Sequence, residues 1–169
     1  AVQGFSFQDT LTGEYTGLED SLAEMIAEHL GVDVEFTTVT AATRGELLDS
    51  GDIDAVLATF TITDERKKTW LFTDVYHKSD ECYVAKKDNE NSDMFTGTLK
   101  GVKVAGQMGS IDITMTKYLY PDAEIQELDN TPNMLLAVKN GKADLACMNA
   151  VSAAMSVAAN DDLVVVDKL

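Results

Sequence analysis

The sequence has little of what usually marks a catalyst or a stapled domain. Its 169 residues include two cysteines, two prolines, two histidines and one tryptophan, with 13 basic residues against 29 acidic ones. Cys82 and Cys147 lie far apart, each inside an apolar run, so they read as small buried hydrophobes rather than a bridge or a metal pair. His29 and His77 fall at a helix end and in a polar turn, which leaves no Cys/His cluster with zinc spacing and no base near a nucleophile. A formal net charge of −16 repels phosphate backbones and anionic lipid, so nucleic-acid binding is excluded as the main role. No apolar run approaches the ~20 residues of a membrane span. What remains is a chain that is 45% hydrophobic and 25% charged, the profile of a folded protein of one ordinary domain or two small lobes.

Strand-like and helix-like patterns alternate. Leu18, Leu22, Met25, Ile26 and Leu30 share one helical face, closed by Gly31, and Val32, Val34 and Phe36 then alternate with acids as a half-buried strand. A short helix from Arg44 to Ser50 stops at Gly51, and Ala55–Ala58 reads as a strand buried on both faces. Thr63-Asp64-Glu65 opens another helix. Strands are expected at Cys82–Ala85, Val102–Gly106, Leu145–Met148 and Leu163–Val166. Between them come a polar connection from Lys86 to Gly97, a helix capped by Ser110, a helix capped by Thr131 with Pro132 at its first position and closing at Gly141, and an Ala-rich helix to about Ala159. This order defines an α/β fold with a largely parallel sheet.

One stretch echoes another. Leu47–Leu57 and Ala137–Cys147 both run helix, glycine stop, an Asp three residues later, then an apolar strand. The echo suggests two lobes built alike, residues 1–84 and 85–169, whose strand ends face each other across a cleft.

The informative chemistry lies in Ala58-Thr59-Phe60-Thr61-Ile62-Thr63-Asp64-Glu65-Arg66. Hydroxyls at alternate positions follow an apolar strand, and an arginine stands one turn further on. Hydroxyls, backbone N–H groups and one guanidinium suit a carboxylate withdrawn from water. Plain helix capping beside a surface arginine gives the same residues.

These residues, with Thr40–Gly51, Asp54–Ala58, Phe72–Tyr76, Leu99-Lys100-Gly101 and Gly109-Ser110, resemble the polar amino-acid solute-binding proteins of ABC transporters, family 3. Gly17–Ala23 is similar to that family's first helix, with Ser21 in place of its usual Asp. The resemblance implies a two-lobe, type II periplasmic-binding-protein clamshell and an extracytoplasmic location, in the periplasm or on a lipoprotein anchor. It implies a small-molecule ligand, an amino acid or carboxylate, and a membrane permease as partner, with no catalysis, metal or cofactor. Arg66 then grips the ligand carboxylate, helped by Thr61 and Thr59 around Phe60. Ser110 and Ile111 offer backbone N–H groups from the second lobe, and Phe5 covers the ligand. Arg44, in Thr-Arg-Gly, resembles the arginine of the aspartate/glutamate-binding branch and implies an acidic side chain.

Three departures qualify that expectation. Asn149 stands where the family has an Asp for the ligand ammonium, Ile111 replaces a Thr, and Asp112 adds an acid at the anion end. The same module serves as the sensor domain of membrane receptors. A dehydratase has also arisen on the scaffold, but that route needs a titrating group at the Asn149 position. Set against the family, the chain also reads as trimmed at both ends, with the expectation of a homodimer or segment swap through open sheet edges.

Overall fold

The computed structural model describes residues 4–9, 11–89, 95 and 97–166. Part of the expected Lys86–Gly97 connection, residues 90–94 and 96, lies outside them. The elements in chain order are β1 (Phe7–Gln8), β2 (Tyr15–Thr16), α1 (Leu18–Leu30), α2 (Arg44–Ser50), β3 (Glu81–Lys86), β4 (Lys103–Gln107), α3 (Ile111–Leu119), β5 (Glu124–Leu128), α4 (Thr131–Lys139), β6 (Leu145–Asn149), α5 (Ala150–Ala158) and β7 (Leu163–Val166).

The core is a five-stranded sheet in the order β5-β4-β6-β3-β7. It is mixed, not largely parallel: β4 runs parallel to β5 and β6, while β3 runs antiparallel to both β6 and β7. Alternation along the strands sends side chains to two layers. Tyr83, Ala85, Val104, Leu145 and Cys147 pack with Ile113 of α3 on one face. Val84, Ala105, Ala146 and Met148 pack with Met134, Val138 and Ala153 of α4 and α5 on the other. The cysteines follow this split: Cys147 is enclosed in the first layer, where burial pushes its thiol up to about 12, and Cys82 packs at the margin of the second. Gly106 lets α3 close onto the sheet, since a Cβ there would stand 2.4 Å from Ile113 Cγ1 and 2.9 Å from Cys147 Sγ.

The first half departs from the pattern reading. α1 and α2 form as expected and stop on left-handed Gly31 and Gly51. Val32–Phe36 and Ala55–Ala58 form no strand, and among the described residues before β3 the pairing is that of the short β1–β2 ribbon, which the pattern did not indicate. Leu18, Met25, Ile26 and Leu30 of α1 stay exposed, whereas Glu19, Asp20 and Ala27 are buried. An apolar stripe forms a core only where a second layer meets it. The helix opened by Thr63 is a single 3₁₀ turn, Arg66–Lys68, with Thr63 Oγ1 accepting the Arg66 N–H at 3.1 Å. In the second half the helix before Gly141 is capped by Asn130, whose Oδ1 accepts the Asn133 N–H at 2.9 Å, rather than by Thr131. Strand β5 escaped the pattern reading altogether, because Glu124-Ile125-Gln126-Glu127-Leu128 is too polar to stand out from a loop.

Candidate functional site

The site grows from the segment after Ala58. Thr59 holds a left-handed backbone, φ 49°, rare for a β-branched residue. That turn aims its N–H at Glu19 Oε1, 2.6 Å away, and the Tyr76 hydroxyl donates to the same oxygen at 2.6 Å. Glu19 is only 2% exposed. It is placed by Gly17, where a Cβ would stand 2.2 Å from the Phe5 carbonyl oxygen, and by its own N–H donating to that oxygen at 2.9 Å. Burial and the bond to Glu19 push the Tyr76 phenol well above its ordinary range.

Phe60 is the centre of an aromatic cluster with Trp70 and Phe72, at centroid distances of 5.3 and 5.6 Å. Two guanidiniums lie against its ring, Arg44 at 4.1 Å and Arg66 at 4.6 Å from the centroid. Arg44 is 4% exposed; its Nη1 donates to the Ala58 carbonyl, and its buried Nε has no hydrogen-bond partner. Burial and then the like charge of Arg66 lower its pKa to about 10, opposed by Glu19. Arg44 stays charged at neutral pH despite its burial, and two guanidiniums against one ring suit an anion.

Arg66 also reaches the other half. Its Nη1 donates to the Thr61 carbonyl at 2.8 Å and its Nη2 to the Gly109 carbonyl at 3.4 Å. Gly109, at φ +77°, touches the Ala41–Ala42 backbone so closely that a Cβ would lie 2.9 Å from Ala42 Cα. Behind it, Ser110 and Ile111 open α3, and Asp112 follows in its first turn. Burial raises Asp112, opposed by the Ser110 hydroxyl and by Arg44 and Arg66.

Of the nine expected site residues, Arg66, Thr61, Thr59, Phe60 and Arg44 come together in this way, and Ser110 and Ile111 stand at the facing helix end. Phe5 is buried with its ring edge-on to His77 at 5.0 Å, and its carbonyl anchors Glu19. Asn149 ends β6, and its Oδ1 caps α5 by accepting the Ser152 N–H at 2.9 Å. Sequence reasoning missed Glu19, Tyr76 and Glu81. An acid two residues after a glycine, in the first turn of an apolar helix, and another heading the strand Cys82–Ala85, were the available signals. Among the described residues no group of three or more His, Cys, Asp or Glu side chains is arranged to hold a metal.

A chain with this mixed sheet and a facing half that presents arginines to a helix entrance belongs to the bacterial extracellular solute-binding proteins, family 3, whose family model matches residues 2–155. It is similar to the ABC transporter glutamine-binding protein GlnH of Bacillus subtilis (strain 168), 34% identical over 143 residues that make up 83% of this chain and 52% of GlnH. Among solved structures it resembles the ancestral amino acid-binding protein AncCDT-1, a precursor of cyclohexadienyl dehydratase, at 35% identity and TM-score 0.88, covering 98% of this chain and 73% of that one. It also resembles AbpA, an amino acid ABC transporter substrate-binding protein of Streptococcus pneumoniae bound to L-arginine, at 27% identity and TM-score 0.89, covering 99% and 71%. The fold is the type II clamshell of these proteins. The chain spans about half the length of the curated relatives it matches.

Proposed function

We propose that the chain is the ligand-binding part of an extracytoplasmic solute-binding protein that closes over a small amino acid and presents it to an ABC permease, without catalysis. The observation that supports this most directly is the pair of guanidiniums on Phe60, one of which bridges to Gly109 in the other half. In this reading residues 1–84 and 85–169 are the two lobes, Arg66 takes the ligand α-carboxylate, and Thr61, Thr59 and the α3 entrance at Ser110 and Ile111 complete its shell. Binding the closed form more tightly than the open one is what drives closure. Arg44, buried with an unpartnered Nε, favours a second carboxylate, so L-glutamate ranks above L-glutamine. The kinship to glutamine-binding GlnH and arginine-bound AbpA supports the amino-acid class rather than the acidic side chain.

A thermal-shift screen of the twenty amino acids tests the reading. A ligand at 100 times its Kd adds about 2.7 kcal/mol of stability. Arg66→Ala removes that gain, and Arg44→Leu reverses the glutamate–glutamine order. A full shift retained in Arg66→Ala would sink the pocket assignment. Prephenate, the kind of substrate a dehydratase on this scaffold would consume, is expected to remain unconverted.

A further inference from the structure

Register places Glu81 directly opposite Asn149 across the β3–β6 ladder. Both side chains lie on the α3 face of the sheet, since Tyr83 and Cys147, two residues further into each strand, belong to that layer. Partners directly opposite have Cβ atoms about 5 Å apart, so these two side chains emerge side by side. They are not equivalent. Asn149 is neutral, and its carbonyl oxygen is engaged in capping α5. Glu81 carries a carboxyl held by one oxygen only: Oε1 accepts from Tyr83 OH at 2.9 Å and from Thr116 Oγ1 at 2.8 Å, while Oε2 is buried without a hydrogen-bond partner.

Among the described residues, none of the ion pairs involves Glu81. Burial raises its pKa, opposed by the Thr116 and Tyr83 hydroxyls, and the nearby charge of Asp112, also an acid, adds a smaller push in the same upward direction. Leaving a carboxylate in such a place without a cation is costly unless something else supplies one. Asp112 stands one turn before Thr116 on α3, about 6 Å along the axis, and it is drawn electrostatically to Arg44 and Arg66. A path of charge therefore runs from the arginines, through Asp112, to the unpartnered oxygen of Glu81. A molecule carrying a carboxylate and an ammonium on one carbon matches that sequence of charges.

We propose that Glu81, one strand over from Asn149, supplies the negative charge that holds the α-ammonium of the ligand. This rests on the amino-acid-binding reading above. Among the described residues no third His, Cys, Asp or Glu joins the two carboxylates, and the proposed occupant is the organic cation of the ligand.

The test is calorimetric titration of the whole chain with L-glutamate, L-glutamine and L-arginine, each against the analogue lacking the 2-amino group (glutarate in the first case). The expected parent prefers the amino acid over its analogue by roughly thirtyfold or more, as for a buried charge pair. Glu81→Gln, whose amide oxygen still accepts from Tyr83 and Thr116, abolishes that preference while leaving affinity for the analogue within about threefold. Adding Asn149→Asp to Glu81→Gln restores it. Glu81→Asp, which keeps the charge one methylene back, retains part of the preference and guards against a folding defect in the amide variant. A preference undiminished in Glu81→Gln, or absent from the parent, overturns the proposal while amino-acid binding stands. A parent that binds neither member of any pair overturns the amino-acid reading, and this proposal with it.

Discussion

The two halves carry eleven-residue stretches of one pattern, with the glycine and the aspartate in common, and treat it differently. At the end of α2 the N–H groups of Gly51, Asp52 and Ile53 turn back to the carbonyls of Leu48, Leu47 and Leu47 at 3.2, 3.1 and 3.4 Å. At the end of α4, ninety positions on, those of Gly141, Lys142 and Ala143 turn back to Val138, Ala137 and Ala137 at 3.0, 2.8 and 3.1 Å. The helix stops are thus reproduced bond for bond. The strands that follow are not. Leu145–Met148 is fully enclosed between β4 and β3, while Ala55–Ala58 pairs with nothing among the described residues and stays partly exposed. A helix stop is a local event, decided by a left-handed glycine and three backbone bonds. A strand is decided by its neighbours.

Charge placed in each strand gives the largest contrast. Ala146→Asp puts an unpaired carboxylate into the packed layer and should cost more than about 4 kcal/mol, enough to unfold the chain. Val56→Asp should cost about 1 kcal/mol or less. Urea unfolding measures both, and equal losses would break the comparison. Hydrogen exchange sharpens it without mutation: amides of Ala55–Ala58 should exchange at least about a thousandfold faster than those of Leu145–Met148.

Close packing offers a third, smaller test. Gly106→Ala drives a methyl into Ile113 and Cys147 and should lose about 1–3 kcal/mol. Gly45→Ala meets the Trp70 ring at 2.6 Å, an indole that donates to Asp49 at 2.7 Å and packs on Phe60, so it must shift, but it is partly exposed and alanine is the better helix former. It should lose less than Gly106→Ala, about 1 kcal/mol.

The smallest effect concerns pH and contrasts the acids of the sheet half with exposed ones. Burial raises Glu81 and Asp112, so each binds its proton more tightly folded than unfolded. The stability they contribute is complete below the ordinary carboxylate range and is lost as pH rises through their raised values. Glu81→Gln and Asp112→Asn should therefore match the parent's melting temperature near pH 4 and exceed it increasingly toward pH 8. A constant offset across that range would mean that titration of these groups does not set the trend.

The sequence made the second half legible and the first half only in part. Periodicity, caps and glycine stops located β3, β4, β6, β7 and all five α-helices; the strands and the helices packed on the sheet bury an apolar face within this chain, while α1 was marked by its Gly31 stop although its apolar stripe stays exposed. The pattern misjudged Val32–Phe36, which has the right alternation, and Ala55–Ala58, a continuous apolar run, because neither finds a pairing partner among the described residues. The arginines and threonines of the candidate site stood out in the sequence because their order is distinctive. Glu19 and Glu81 were not, since in a chain with 29 acids a single carboxylate is conspicuous only once its burial is known. Arg44 was expected in the site, yet its seat against Phe60 depends on a contact across sixteen residues that no local pattern encodes.

Where Gly109 meets Ala41 and Ala42, the two halves rest main chain against main chain. A stop of that kind works like the jaw of a calliper: its zero is set by the thickness of the peptide unit, and rotamer changes elsewhere cannot reset it. Even a single methyl at position 109 would wedge the jaws apart. The bridge from Arg66 to the Gly109 carbonyl, already 3.4 Å long, would be the first thing to let go.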